Sequence, residues 1–181
     1  MDGIFRPAQG ALHHGGRVLM RINNNPLSTS GESSSKGQQN IDIDVDEFNE
    51  LATDPVTGEI TPKSKDEAVS ALQARSEGRA SDNIRRPDAD LGENIHLDFI
   101  DDGVYVEVKR AHDPLLHDPL NLQVSNVADD IIHTPDTRFI IDLGHLNTTG
   151  DKFSYLYQLA KELMSSGIDI FDKTKFIILN P

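Results

Sequence analysis

Hydrophobic positions along the chain fall into two periods. Ile95, Leu97 and Phe99 alternate with His96, Asp98 and Ile100, and Val104, Val106 and Val108 alternate with Tyr105, Glu107 and Lys109. A period of two predicts strands, and Asp101-Asp102-Gly103 between them predicts a tight turn. RFIIDLG (138–144) and KFIIL (175–179) are short unbroken apolar runs, the pattern of strands covered on both faces. Helical spacing appears in TPKSKDEAVSALQARSEG, where Ala68, Ala71, Leu72 and Arg75 share a stripe that Gly78 closes. Ser64 is the expected N-cap there, with Glu67 at capping-box spacing. A second helix is predicted from about Asn121 to His133. DKFSYLYQLAKELMSSG is a third, strongly amphipathic and stopped by Gly167, with at least one of Tyr155 and Tyr157 in the core. Asp46 is placed to cap a short helix through Leu51, and DPVTGEI reads as a turn.

The resulting order is helix, strand, strand, helix, strand, helix, strand. The closing strand–helix–strand unit implies parallel pairing through a right-handed crossover, and the hairpin implies an antiparallel part. The expected fold is α/β, a mixed sheet flanked by helices. NIRRPDADLGEN reads as a loop, as does HDPLLHDPL, whose prolines disfavour helix at the preceding residues.

Composition sets the boundaries. Only 36% of the 181 residues are hydrophobic, too few for a chain packed from end to end. NNNPLSTSGESSSKGQQN offers little to bury, so residues 1–40 are expected to be a weakly ordered N-terminal segment, with GGRVLMRI a possible short strand. The ordered domain then spans 41–181, a usual size for one core. His13-His14 falls in the first segment and is given no chemical role. No apolar run is long enough for a membrane span, and MDGIFRPAQGALHHGG lacks the pattern of a signal peptide. Without cysteine, disulfides, thiolate nucleophiles and Cys-based zinc sites are excluded. P-loop, GxSxG, HExxH and EF-hand patterns are missing.

The formal net charge of −13 opposes passive nucleic-acid binding, because phosphate backbones repel such a chain. It does not oppose a nuclease whose carboxylates gather a divalent cation. Strand alternation puts Tyr105, Glu107 and Lys109 on one face, and the turn brings Asp98 close to Glu107. Asp98, Glu107 and the Val108 carbonyl form a plausible oxygen set for Mg²⁺ or Mn²⁺, completed by water and phosphate. Lys109 beside them suits orienting water or neutralising charge. Glu67 has two readings of equal weight, capping-box acid or metal-site acid.

This layout resembles the restriction-endonuclease-like PD-(D/E)xK superfamily. Glu107-Val108-Lys109 fits the (D/E)xK half, Asp98 fits the metal-binding Asp of the preceding strand, and the element order fits an αβββαβ core with one strand uncertain. A literal Pro87-Asp88 is also present, but in a loop, so Asp98 is preferred. FNELATDPVTGEITPKSKDEAVSALQARSEG, LDFIDDGVYVEVK and DKTKFIILNP further resemble toxin modules at the C-terminal ends of bacterial polymorphic and contact-dependent growth inhibition effectors. That resemblance implies an endonuclease cutting DNA or tRNA, delivered by secretion within a larger effector into a target-cell cytoplasm and neutralised by a cognate immunity protein. By position it assigns Asp98, Glu107 and Lys109 as the catalytic set and Glu67 as the helix acid. Two departures stand out: Tyr105-Val106-Glu107 replaces a Trp-Asp pattern, and Arg75 replaces a frequent second Glu.

Plainer readings accompany each feature. An E-x-K strand is most often a solvated charged face. Asp101 and Asp102 read as turn formers, His112 and His117 as loop residues before Asp-Pro, and Gln123 as a helix-start residue or a substrate contact. As a whole, the chain has an alternative reading as a non-catalytic acidic module that binds a basic protein.

Overall fold

The computed structural model describes residues 17–23, 38–114 and 118–181. Strand β1 (Arg17–Asn23) pairs antiparallel with β2 (Gln38–Asp44) in a two-stranded sheet. The short strand expected in GGRVLMRI is thus present, and it has a partner that the polar composition did not announce. His13, His14 and His117 lie outside the described residues.

Helix α1 (Val45–Ala52) follows β2 directly. Its cap is Asp44, not Asp46: the Asp44 carboxylate accepts the N–H groups of Asp46 and Glu47. Helix α2 (Pro62–Ser76) also begins earlier than expected. Thr61 is the N-cap, and the capping box is completed by Ser64, each side chain accepting the other's backbone N–H. Pro62 explains the shift, since a proline is best placed in the first helical turn, where its missing N–H costs nothing. Glu67 is therefore released from the capping role assigned to it by spacing.

The main sheet runs in the order β3 (Phe99–Asp101), β4 (Val104–Arg110), β5 (Arg138–Asp142), β6 (Phe176–Leu179). β3 and β4 form the antiparallel hairpin; β4–β5 and β5–β6 are parallel. Helix α3 (Leu120–His133) connects β4 to β5, and α4 (Thr149–Ser165) connects β5 to β6. The mixed α/β architecture expected from hydrophobic spacing is present. The first hairpin strand is shorter than its alternation suggested: Ile95 to Asp98 lie outside it, and pairing ends at Phe99–Val106. On the outer side, Arg85 and Ile100 exchange both backbone hydrogen bonds, an isolated antiparallel bridge within the segment expected to be a plain loop.

Alternation along the inner strands sorts the core into two layers. Val106, Val108, Ile140, Ile177 and Leu179 pack with Leu51, Ala68, Ala71 and Leu72 of α1 and α2. Phe139, Ile141 and Phe176 pack with Val124, Ala128 and Ile131 of α3 and Tyr155, Leu159 and Leu163 of α4. Asp101 is more than a turn former. It is buried and accepts hydrogen bonds from Ser81 N–H and the Arg138 guanidinium. Asp102 keeps its turn role at φ 50°, followed by Gly103 at φ 83°.

Tyr155 is wholly buried and Tyr157 exposed, so one of the pair is core, as the amphipathic pattern required. The Tyr155 hydroxyl has no hydrogen-bond partner. A buried unsatisfied hydroxyl costs about 1–3 kcal/mol. Tyr155→Phe is accordingly expected to stabilise the protein by about 1 kcal/mol in urea unfolding; a loss of stability would show that the hydroxyl is satisfied in solution.

Candidate functional site

Where β3 leaves the hairpin, the N–H of Val108 no longer has a strand acceptor. The Asp98 carboxylate takes its place, with Oδ2 2.7 Å from Val108 N. This bond fixes Asp98 beside the Glu107-Val108-Lys109 segment despite its lying outside β3. Burial, then the charge of Glu107, then that of Glu67, push the Asp98 pKa up to about 7, against the lowering effect of the Val108 hydrogen bond. Asp98, on the approach to β3, thus feels a carboxylate from α2 and one from β4.

Glu67 is 4% exposed. Its Oε2 accepts from Arg86 Nη2 at 3.1 Å; its Oε1 lies 3.3 Å from Lys63 Nζ but without hydrogen-bond alignment, and so has no hydrogen-bonded partner. Glu107 accepts from Lys109 Nζ through Oε1 at 2.9 Å, while its Oε2 is buried and unpartnered. Lys109 Nζ also donates to Asp130 of α3 at 2.7 Å. Burial works against the Lys109 charge, but the bonds to Asp130 and Glu107 outweigh it and hold the pKa above its ordinary range. Lys109 is therefore a fixed cation rather than a proton acceptor.

Arg86 organises this region, a role that RRPD in a loop did not reveal. Its guanidinium is buried and donates to the carbonyls of Leu51, Asp98 and Ser64 as well as to Glu67. It stacks on Phe99, with Cζ 4.3 Å from the ring centroid, a favourable cation–π contact. One side chain thus ties α1, α2 and the β3 approach together at the acids. Asp88, the literal PD residue, is exposed and caps the short 3₁₀ turn Ala89–Leu91, so it takes no part.

On the far side of Glu67, a cleft of about 340 Å³ is lined by Lys63, Asp66, Glu67, Val108, Arg110 and His112. Gln123 explains how His112 reaches it. The Gln123 amide accepts from His112 N and donates to His112 O and Asp118 O, which ties His112 and Asp118 to the start of α3. Gln123 is thus a loop clamp.

Among the described residues, no group of three or more His, Asp or Glu side chains is arranged to hold a metal ion by itself. Mg²⁺ does not require such a cage, since it usually keeps several waters and takes only one or two carboxylates plus substrate oxygens. A buried Glu107 oxygen without a partner, a Glu67 oxygen that meets only the exposed Lys63 ammonium, and an Asp98 that resists ionisation beside them are the donor chemistry a hard divalent cation would satisfy. Among the described residues no helix is long and apolar enough to cross a membrane. No family model matches the sequence, and no match emerges among curated proteins or solved structures.

Proposed function

We propose that this chain is a metal-dependent endonuclease domain of the restriction-endonuclease-like kind, a toxin module that hydrolyses phosphodiester bonds of DNA or tRNA. The observation that carries the reading is the convergence of buried Asp98 and Glu67 with half-buried Glu107 beside a Lys109 held as a cation. The strand order after α2, with the Arg85–Ile100 bridge standing where a further short strand belongs, supports the αβββαβ comparison.

Mg²⁺ or Mn²⁺, held by Asp98, Glu107 and the Val108 carbonyl, would supply an activated water and charge neutralisation at the phosphate. The residues themselves do the rest. Asp98 is set by the Val108 N–H, Glu67 by Arg86, and Lys109 by Glu107 and Asp130, so none must be ordered during reaction. Lys109 presents a permanent positive charge where negative charge develops. The net charge of −13 then has a local counterpart in metal and lysine.

Plasmid DNA and total tRNA, each incubated with the protein with and without Mg²⁺, test this. Cleavage of one substrate is expected only with the metal and is expected to disappear in Glu107→Ala. A Glu107→Ala protein that cuts as well as the parent would remove the basis of the proposal.

A second reading has its own support. Phe153, Tyr157 and Met164 are exposed along one side of α4, with the Phe153 and Tyr157 rings stacked at 6.3 Å between centroids. Such a face on an acidic chain suits a protein partner, either the immunity protein of a toxin or the sole ligand of a non-catalytic module. Divalent-ion titration separates these: a nuclease loses Mg²⁺ affinity on Asp98→Asn.

A further inference from the structure

The cleft beside the carboxylates is lined by two cations, Lys63 and Arg110, as well as by Asp66 and Glu67. Arg110 closes β4, and its side chain is 10% exposed. Nη1 donates to Asp66 of α2 at 2.5 Å, and Nη2 meets Nε2 of His145 in the loop after β5. A guanidinium only donates, so this contact requires His145 neutral, with its proton on Nδ1. Burial, then the Arg110 charge, lower the His145 pKa accordingly.

One donor of Arg110 is left over. Nε is buried with no hydrogen-bond partner. Nε–H and the neighbouring Nη2–H form the side edge of the guanidinium, the fork that grips a phosphate or carboxylate through two parallel bonds. Here His145 covers only one prong. A monodentate neutral acceptor on a two-pronged donor is a poor match, and His145 is an exposed residue whose ring can turn away. The acids that line the cleft already have cations: Asp66 is paired with Arg110, and Glu67 with Arg86 through Oε2 and with Lys63 through Oε1. Lys63, with a side chain 84% exposed, stands at the entrance.

We propose that this cleft is a phosphate subsite for nucleic acid, in which the Nε–Nη2 edge of Arg110 takes a backbone phosphate next to the one being cut and His145 holds that edge in the unliganded protein. The proposal rests on the nuclease reading for its place beside the scissile bond, but its binding chemistry is separable from cleavage. It also offers an acidic chain a local hold on a polyanion.

The test is equilibrium binding of a fluorescent DNA duplex and of labelled tRNA to full-length Glu107→Ala protein at fixed Mg²⁺, across a series of NaCl concentrations. Adding Arg110→Met is expected to weaken the preferred nucleic acid roughly tenfold to a hundredfold, the range for a charge-assisted hydrogen-bonded contact. It should also flatten the plot of log affinity against log salt by about 0.7–0.9, the share of one phosphate. Arg110→Lys keeps the charge and is expected to restore the slope while recovering only part of the affinity. His145→Ala is expected to bind as well as the Glu107→Ala protein or better. Unchanged affinity and slope in Arg110→Met, absence of nucleic-acid binding by the Glu107→Ala protein, or a His145→Ala loss as large as that of Arg110→Met would each overturn the subsite. Circular dichroism on Arg110→Lys controls for folding. Binding that depends on Arg110 in a protein whose Glu107-containing form cuts nothing would keep the subsite and sink the nuclease reading; cutting with an indifferent Arg110 would do the reverse.

Discussion

At about pH 8 and without divalent metal, Asp98→Asn is expected to melt roughly 5–15 °C above the parent protein, and at about pH 4 the two are expected to melt together. The folded protein holds the Asp98 proton to about pH 7, against an ordinary value of 3.8. Between those values the folded chain keeps a proton that the unfolded chain has released, so the stability it contributes is full below about pH 4 and gone once the pH has risen through about 7. The displacement sets an upper bound near 4 kcal/mol, and sharing of the repulsion with Glu107 and Glu67 brings the expected gain to about 2–4 kcal/mol. Asparagine keeps a carbonyl for Val108 N–H and removes only the charge. Mg²⁺ is expected to raise the melting temperature of the parent and not that of the variant, because a cation that binds the folded state stabilises it by mass action. The variant is also expected to cut nothing. An Asp98→Asn protein that melts below the parent at both pH values would show that the carboxylate serves only as a structural acceptor, with no electrostatic cost to relieve.

That expected opposition of stability and activity clarifies which parts of the molecule sequence alone could reveal. Period-two and helical spacing are local consequences of burial, so β4, β5, β6, α2, α3 and α4 are legible within a few residues. Helix starts are less so. Thr61 and Ser64 are both good cap residues, and only the position of Pro62 decides between them; Asp44 and Asp46 pose the same choice before α1. The β3 boundary differs from its expected place because Ile95 and Leu97 continue the alternation while the chain has already left the hairpin. Asp98 is nevertheless brought to Glu107 by a side-chain bond to Val108 N, which no period encodes. The E-x-K pair is readable because both residues lie on one strand. Arg86, Asp130, Arg110 and His145 carry no such signal, since each reaches the site from an element distant in sequence or gains its partners only there. The hints present, a Lys63–Glu67 helical pair and an Arg after Lys109, acquire meaning only once α2 is placed over β4. Gln123 shows the converse: a polar residue at a helix start suggests substrate contact, and its amide instead holds His112 in position.

Lys109→Met is expected to lower cleavage by roughly a hundredfold to a thousandfold in kcat, the usual cost of removing one preorganised charge or donor from a transition state, with KM changed by less than a few-fold. The geometry separates this from a general weakening of the site. Lys109 Nζ bonds to Glu107 Oε1 at 2.9 Å and Asp130 at 2.7 Å, so in the proposed nuclease it would compete with a divalent cation for Glu107. Removing it frees that oxygen, and Mn²⁺ is expected to bind Lys109→Met as tightly as the parent or more tightly. A protein that holds its metal better and cuts far more slowly is the signature of a cation acting in the chemical step. Asp130→Asn, which loosens Lys109 without removing it, is expected to cost only several-fold. Were Lys109 simply a link between β4 and α3, the two substitutions would cost stability alike and leave kcat alone, and metal affinity would not rise. Single-turnover cleavage and Mn²⁺ titration on the same preparations distinguish the two. In the catalytic reading the losses rank by distance from the reacting phosphate, whereas in the structural reading they follow how far each substitution loosens the strand from the helix.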